Sequence, residues 1–157
     1  MKPGLTVAIL LALSLLGTGC GGFDAYPGPL SQSQWRVGDT NHVFYYTFAK
    51  RQAAGDQLVL EFHHDKNVEY PNAIATIENI STLDEDDDPN AAVHFEAAEG
   101  VTYETDDEAK ITFSLTMLDF SKGYLGANIS GELRHVEAPD DPLLHVNGWC
   151  MYLPIVQ

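Results

Sequence analysis

From Ile111 to Met117 the chain alternates without interruption, with Ile111, Phe113, Leu115 and Met117 set against Thr112, Ser114 and Thr116. Successive side chains of a strand point to opposite faces, so this spacing makes one oily face and one hydroxylated face. A short turn at Ser121-Lys122-Gly123 reverses the chain. The return strand runs from Tyr124 to about Val136, with Leu125, Ala127, Ile129 and Leu133 on one face and Gly126 and Gly131 at positions suited to a bulge or kink. This hairpin is the expected backbone of the fold, with Ile129 packed opposite the face of Ile111, Phe113 and Leu115.

Two earlier stretches repeat the pattern. His42, Phe44, Tyr46 and Phe48 alternate with Val43, Tyr45 and Thr47, and Leu58, Leu60 and Phe62 alternate with Val59, Glu61 and His63. Between them, Ala53-Ala54-Gly55-Asp56 offers a Gly-Asp pair for the positive-φ position that a hairpin turn needs. Ile74 to Ile80 and Val101 to Thr105 supply further strands, and Leu144 to Leu153 a terminal one that Pro154 stops. Residues 88–99 admit two forms. Asp88-Pro89 is able to cap a short helix ending at Gly100, but Val93 and Phe95 share a face at period two, which favours a strand. The expectation is an all-β domain, an antiparallel sandwich or open barrel of about six to eight strands.

The first twenty residues carry a different signal. Lys2 precedes an uncharged apolar run from Leu5 to Leu16, followed by Gly17-Thr18-Gly19-Cys20. The run is shorter than the roughly 20 residues a spanning helix needs, and small residues precede the cysteine, as at a signal-peptidase cut. This order resembles a bacterial lipoprotein signal with its lipobox, although Gly17 stands where that family most often has Leu. The resemblance implies cleavage before Cys20, a lipid on its thiol and an acyl chain such as palmitate on its amine. Two or more chains give stable membrane attachment, at about 0.8 kcal/mol per buried methylene. Gly21 after the cysteine, where Asp would signal retention, implies the outer membrane. The alternative is ordinary secretion, with Cys20 kept as a thiol or paired with Cys150.

The chain then divides into a signal over 1–19, a tether over 20–34 rich in Gly, Pro and Ser, and one domain over 35–157. The stretch from Tyr103 through the Leu118-Asp119 step to the Ile129-Ser130-Gly131 return also resembles small all-β domains of uncharacterised envelope lipoproteins. That resemblance speaks to fold and not to activity.

Composition narrows the partners. The chain has 23 acidic residues against 8 basic ones, a net charge of −15, and the expected cleavage removes Lys2 and no acid. Such a polyanion repels nucleic acid and anionic headgroups, which leaves the lipid at Cys20 as the membrane attachment. Cys150, between Trp149 and Met151, reads as a buried structural thiol, because no particular basic neighbour is identifiable to activate it.

The acidic run Asp84-Glu85-Asp86-Asp87-Asp88 is the best candidate for a metal site. Alternate carboxylates on a loop are able to converge on a hard cation, with Asp84, Asp86, Asp88 and Asn90 as possible ligands. Counting from Asp86, however, Ala91 stands where a calcium loop needs its turn glycine and Ala97 where it needs a closing Glu, so a solvated loop is the better reading. The histidines His42, His63, His64, His94, His135 and His145 show no metal-ligand spacing, and His63 and His64 point to opposite faces of a strand. A site joining one of that pair with Asp65 and a histidine from a neighbouring strand is geometrically possible. No Gly-x-Ser-x-Gly elbow or phosphate-binding glycine loop is present. Trp35, Tyr45, Tyr46, Tyr70 and Trp149 are candidates for a carbohydrate platform, though strand aromatics more often pack in cores. No cofactor is implied. The expectation is therefore a non-catalytic envelope lipoprotein that binds a protein or glycan partner or occupies the surface. The second reading is a small envelope hydrolase or metal-dependent enzyme using the acidic loop and the histidines.

Overall fold

The computed structural model describes residues 32–65 and 71–156. Ten strands follow in order: β1 (Gln32–Val37), β2 (Thr40–Phe44), β3 (Tyr46–Gln52), β4 (Gln57–His63), β5 (Ala73–Glu78), β6 (Asn90–Ala98), β7 (Val101–Glu104), β8 (Ile111–Asp119), β9 (Tyr124–His135) and β10 (Leu144–Val156). A seven-stranded ring closes into a barrel, running from β10 through β3, β4, β5 and β6 to β9 and back, with β6 reaching β9 through β8 at its start and through β7 further along, so the chain is all-β and the barrel form prevails over the sandwich. Closure removes the free edges that an open sheet would present. β7 bridges β6 and β9 beside β8, and the β1–β2 hairpin is added along the outer edge of β10.

The β8–β9 hairpin packs as its pattern requires. Phe113 pairs with Ile129 and Leu115 with Ala127, and Ile111, Phe113, Leu115, Leu125, Ala127, Ile129 and Leu133 are all buried. The turn closes on Gly123 at φ +74°. Residues 90–98 form a strand with Ala91, Val93 and Phe95 inside, as period two indicated. Between β3 and β4 the chain makes a short 3-10 turn, and the positive φ of the Gly-Asp pair falls on Asp56. The Asp56 carboxylate accepts hydrogen bonds from Ser81 N–H at 3.1 Å and Ser81 Oγ at 2.6 Å.

Three features depart from the sequence reading. First, β1 begins at Gln32, so the last three residues assigned to the tether pair with Met151, Cys150 and Trp149 of β10. Second, the single strand expected over His42–Phe48 is two strands broken at Tyr45. His42 and Phe44 are buried before the break, whereas Thr47 and Ala49 are buried after it, so the inward phase flips by one residue. The cause is a change of partner: β2 pairs with β1, β3 with β4, and Tyr45 N–H donates to the His63 carbonyl at 3.0 Å. Third, Pro154 does not end β10. It lies opposite Tyr124, just past an irregularity between Cys150 and Leu153 where a missing N–H is tolerated. Ile155 and Val156 then pair in parallel with Ala49 and Lys50, the step that closes the barrel.

The core is aromatic at one end. Trp35 packs on Phe62 at 4.6 Å and on Phe44 at 5.5 Å between ring centroids, edge to face, with Phe95 at 6.1 Å. Gly148 on β10 makes room for this, because a Cβ there would run into Gln34 and Trp35.

Candidate functional site

The β8–β9 turn is locked before any ligand is considered. Asp119, the last residue of β8, accepts hydrogen bonds at Oδ1 from Ser121 Oγ (2.6 Å), Lys122 N–H (2.9 Å) and Ser121 N–H (3.0 Å). These donors, Ser121 foremost, hold its carboxyl well below the usual carboxylate range. Lys122 Nζ lies 3.1 Å from Asp119 Oδ2. Gly123 then donates to the Asp119 carbonyl and accepts from Ile155 N–H, both at 2.8 Å, which ties the turn to the end of β10.

On this frame stand two tyrosines. Tyr124 opens β9 opposite Asp119 and Pro154. Tyr152 lies within the irregularity of β10 at φ +52°. A bulky L-residue in the left-handed region is a strained outlier, and such outliers concentrate at functional positions. The two rings meet edge to face, 6.4 Å between centroids at 83°. Both remain open to solvent, Tyr124 at 38% and Tyr152 at 48%. With Met117, Leu118 and Glu85 they line a cleft of about 590 Å³.

Glu85 reaches the cleft because the acidic segment is not a free loop. Beyond Asn90 it continues the β6–β8 seam: Phe113 N–H donates to the Pro89 carbonyl (2.9 Å), Leu115 N–H to the Asp87 carbonyl (2.8 Å), and Asp86 N–H to the Leu115 carbonyl (3.1 Å). Asp86 sits at φ +79°. The candidate ligands are spent elsewhere or turned outward. Asn90 Oδ1 accepts from Thr112 Oγ1 at 3.0 Å, Asp87 accepts from Asp84 N–H at 2.8 Å, and Asp84, Asp86 and Asp88 are exposed. Among the described residues no three His, Cys, Asp or Glu side chains stand where they would share a metal ion. Glu85 makes no side-chain hydrogen bond or ion pair among the described residues.

The histidines separate by face. His63 stacks on Phe48 (5.7 Å, 18°) and its Nε2 lies 3.5 Å from Glu61 Oε2, with Lys50 on the far side of that carboxylate. His64, on the other face, packs against Phe44 (4.8 Å) and His42 (5.6 Å), and His42 against Phe95 (4.9 Å). Burial lowers the pKa of all three, and the His64 charge lowers that of His42 further. His64 also lines a cavity of about 310 Å³ with Glu96 and Glu99, one histidine and not two. His94 binds Glu104 at 2.7 Å on the surface, and half-buried His135 packs against Tyr103 at 5.0 Å while its Nδ1 accepts from Glu137 and Ala138 N–H.

Of the aromatic residues singled out in the sequence, Trp35 is core, Tyr46 and Trp149 are half-buried, and Tyr45 is exposed at the strand break. Tyr70 and Cys20 lie outside the described residues. Tyr124 and Tyr152 carry no periodic signal, since both stand at strand irregularities or ends, and their pairing depends on a contact between β9 and β10. A larger depression, about 710 Å³, is bordered by Glu78, Asn90 and Asp106, but each of these side chains is engaged internally, by Gln57, Thr112 and Arg134 respectively.

Comparison with protein-family models, curated proteins and solved structures gave no match to the chain.

Proposed function

We propose that this chain is a lipid-anchored protein of the bacterial envelope, outer membrane in destination, whose barrel is a non-catalytic binding domain. Its binding face is the cleft between Tyr124 and Tyr152. The anchor rests on the residue order before Cys20, together with an acidity that gives the domain no electrostatic hold on anionic lipid. The binding face rests on one observation above all: Tyr152 adopts a left-handed backbone and yet leaves its ring half exposed, so the strain is not offset by core packing. Exposed aromatics in a preformed cleft are the usual anchors of recognition. The hydrolase reading would need two histidines and a carboxylate at one cavity, and no observation favours it over binding.

Two measurements test the proposal. Mass spectrometry of protein extracted from membranes should find a mature chain starting at an acylated Cys20; an unmodified Cys20, or another start, refutes the anchor. A photoreactive residue placed at Tyr152 should give defined adducts in intact envelopes that the same residue at exposed Val43 on β2 does not give. Equal adducts from both positions, or none from Tyr152, refute the binding face.

A further inference from the structure

Building on the cleft as a binding face, we infer that its ligand class is an organic cation: an alkylammonium group seated between the Tyr124 and Tyr152 rings with Glu85 as its counter-charge. An aromatic ring presents a negative face to a cation, and near-perpendicular rings wall a volume on two sides. The 83° angle between these two tyrosines supplies that arrangement. Met117, which also lines the cleft, adds a polarisable thioether.

Charge selects the same class. Glu85 brings a carboxylate that is uncommitted among the described residues, and it belongs to the run Asp84–Asp88 laid along β8 at the margin of the cleft. Asp119 and Lys122 also line the cleft, but they lie 3.1 Å apart and their charges largely offset one another, so Glu85 sets the sign of the site. An anion would meet this field and the net charge of −15 with the wrong sign. A neutral ligand would gain at most a hydrogen bond from Glu85 and none of the charge attraction. A metal ion fits poorly for a different reason: calcium takes about six to eight oxygen ligands and magnesium about six, whereas one uncommitted carboxylate borders this cleft. An alkylammonium group whose nitrogen is fully alkylated is weakly hydrated and needs one counter-charge and apolar or aromatic walls.

The test titrates the detergent-extracted full chain with choline and, in parallel, with 3,3-dimethylbutan-1-ol, which has the same shape without the charge, each followed by shifts of the tyrosine ring signals. The expected result is saturable choline binding that is about tenfold or more stronger than that of the neutral alcohol and weakens as salt is raised. Tyr124→Leu and Glu85→Gln should each weaken choline by about threefold or more. Glu85 is exposed, so Glu85→Gln should leave the melting temperature unchanged and report on binding alone. Equal binding of choline and the alcohol, or no binding of choline, overturns the inference. If choline fails while Tyr152 still yields defined adducts, only the ligand class is wrong; if both fail, so does the binding face.

Discussion

Gly131 on β9 lies directly against the backbone of Lys110, so that a Cβ on it would overlap the Lys110 carbonyl oxygen. Its φ of +144° is one that only glycine adopts readily, and the close approach lets Glu132 N–H donate to that carbonyl at 2.9 Å. The contact holds the segment entering β8 against β9, where Arg134 also binds Asp106 and Glu108. The Ala109 N–H foremost, then Arg134 and the Glu108 N–H, bring the pKa of the Asp106 carboxyl down to about 2.

Gly131→Ala should therefore cost about 3 kcal/mol or more in urea unfolding, or prevent folding, because backbone would have to move. Gly100→Ala is the control. Its φ is +74° but nothing lies within 4 Å of the added carbon, so only the conformational strain of about 1–2 kcal/mol applies. Similar losses at both sites would contradict the Lys110 contact.

Phe113→Ala should cost about 3–5 kcal/mol, since the ring is fully buried opposite Ile129 and the barrel cannot collapse onto the space. Thr116→Ala on the exposed side of the same strand should change stability by less than about 0.5 kcal/mol. A loss below about 1 kcal/mol for Phe113→Ala would show that the inward face is misassigned.

That inward face was legible because one pair of strands keeps one period from Ile111 to Leu115, up to a shift of register that leaves Met117 half-buried. The barrel's closure was not. Across Tyr45 the apolar phase shifts by one residue as the chain changes partner, and the buried residue after the break is Thr47, whose hydroxyl gives no apolar signal. Pro154 reads locally as a stop, yet the strand passes it because the adjoining irregularity has already interrupted the ladder. The cleft was hidden for the same reason. Period finds faces that repeat, whereas Tyr152 is exposed by a break in repetition and meets Tyr124 only through tertiary pairing. The acidic run was visible in composition, but its place along β8 depends on backbone bonds that no side chain announces.

Stability should fall with acidity through His42 and His64. Both have folded pKa values below the ordinary imidazole value of about 6.5, so the unfolded chain binds more protons than the folded one as pH drops past that value. The barrel is thus most stable above about pH 6.5 and loses stability below it. His63 adds in the same direction through burial, moderated by Glu61 and reinforced by the Lys50 charge; Glu96 and Glu99 are the carboxylates at the His64 cavity. Melting temperatures between about pH 7.5 and 5 should decline, and His42→Phe should flatten the decline by removing one of the buried imidazoles and its charge beside His64. A slope unchanged in His42→Phe would show that His42 does not carry the decline.

Cys150 should resist alkylation in the native protein. Its thiol is buried at the β10–β9 seam, and burial pushes its pKa up to about 12. Iodoacetamide at neutral pH should label it only after denaturation. Rapid labelling of the folded chain would show that this end of the barrel opens.

On the proposed function, Tyr152 is held in a strained conformation for recognition and not for the fold. Glycine at that position would release the left-handed strain of about 1–2 kcal/mol and add about 0.5–1 kcal/mol of chain entropy to the unfolded state. The unfolding free energy of Tyr152→Gly, measured in urea, is predicted to lie within about 1 kcal/mol of the wild-type value. A loss of about 3 kcal/mol or more, the size expected when a core aromatic is removed, would show that the ring serves packing and would contradict the assignment of the cleft.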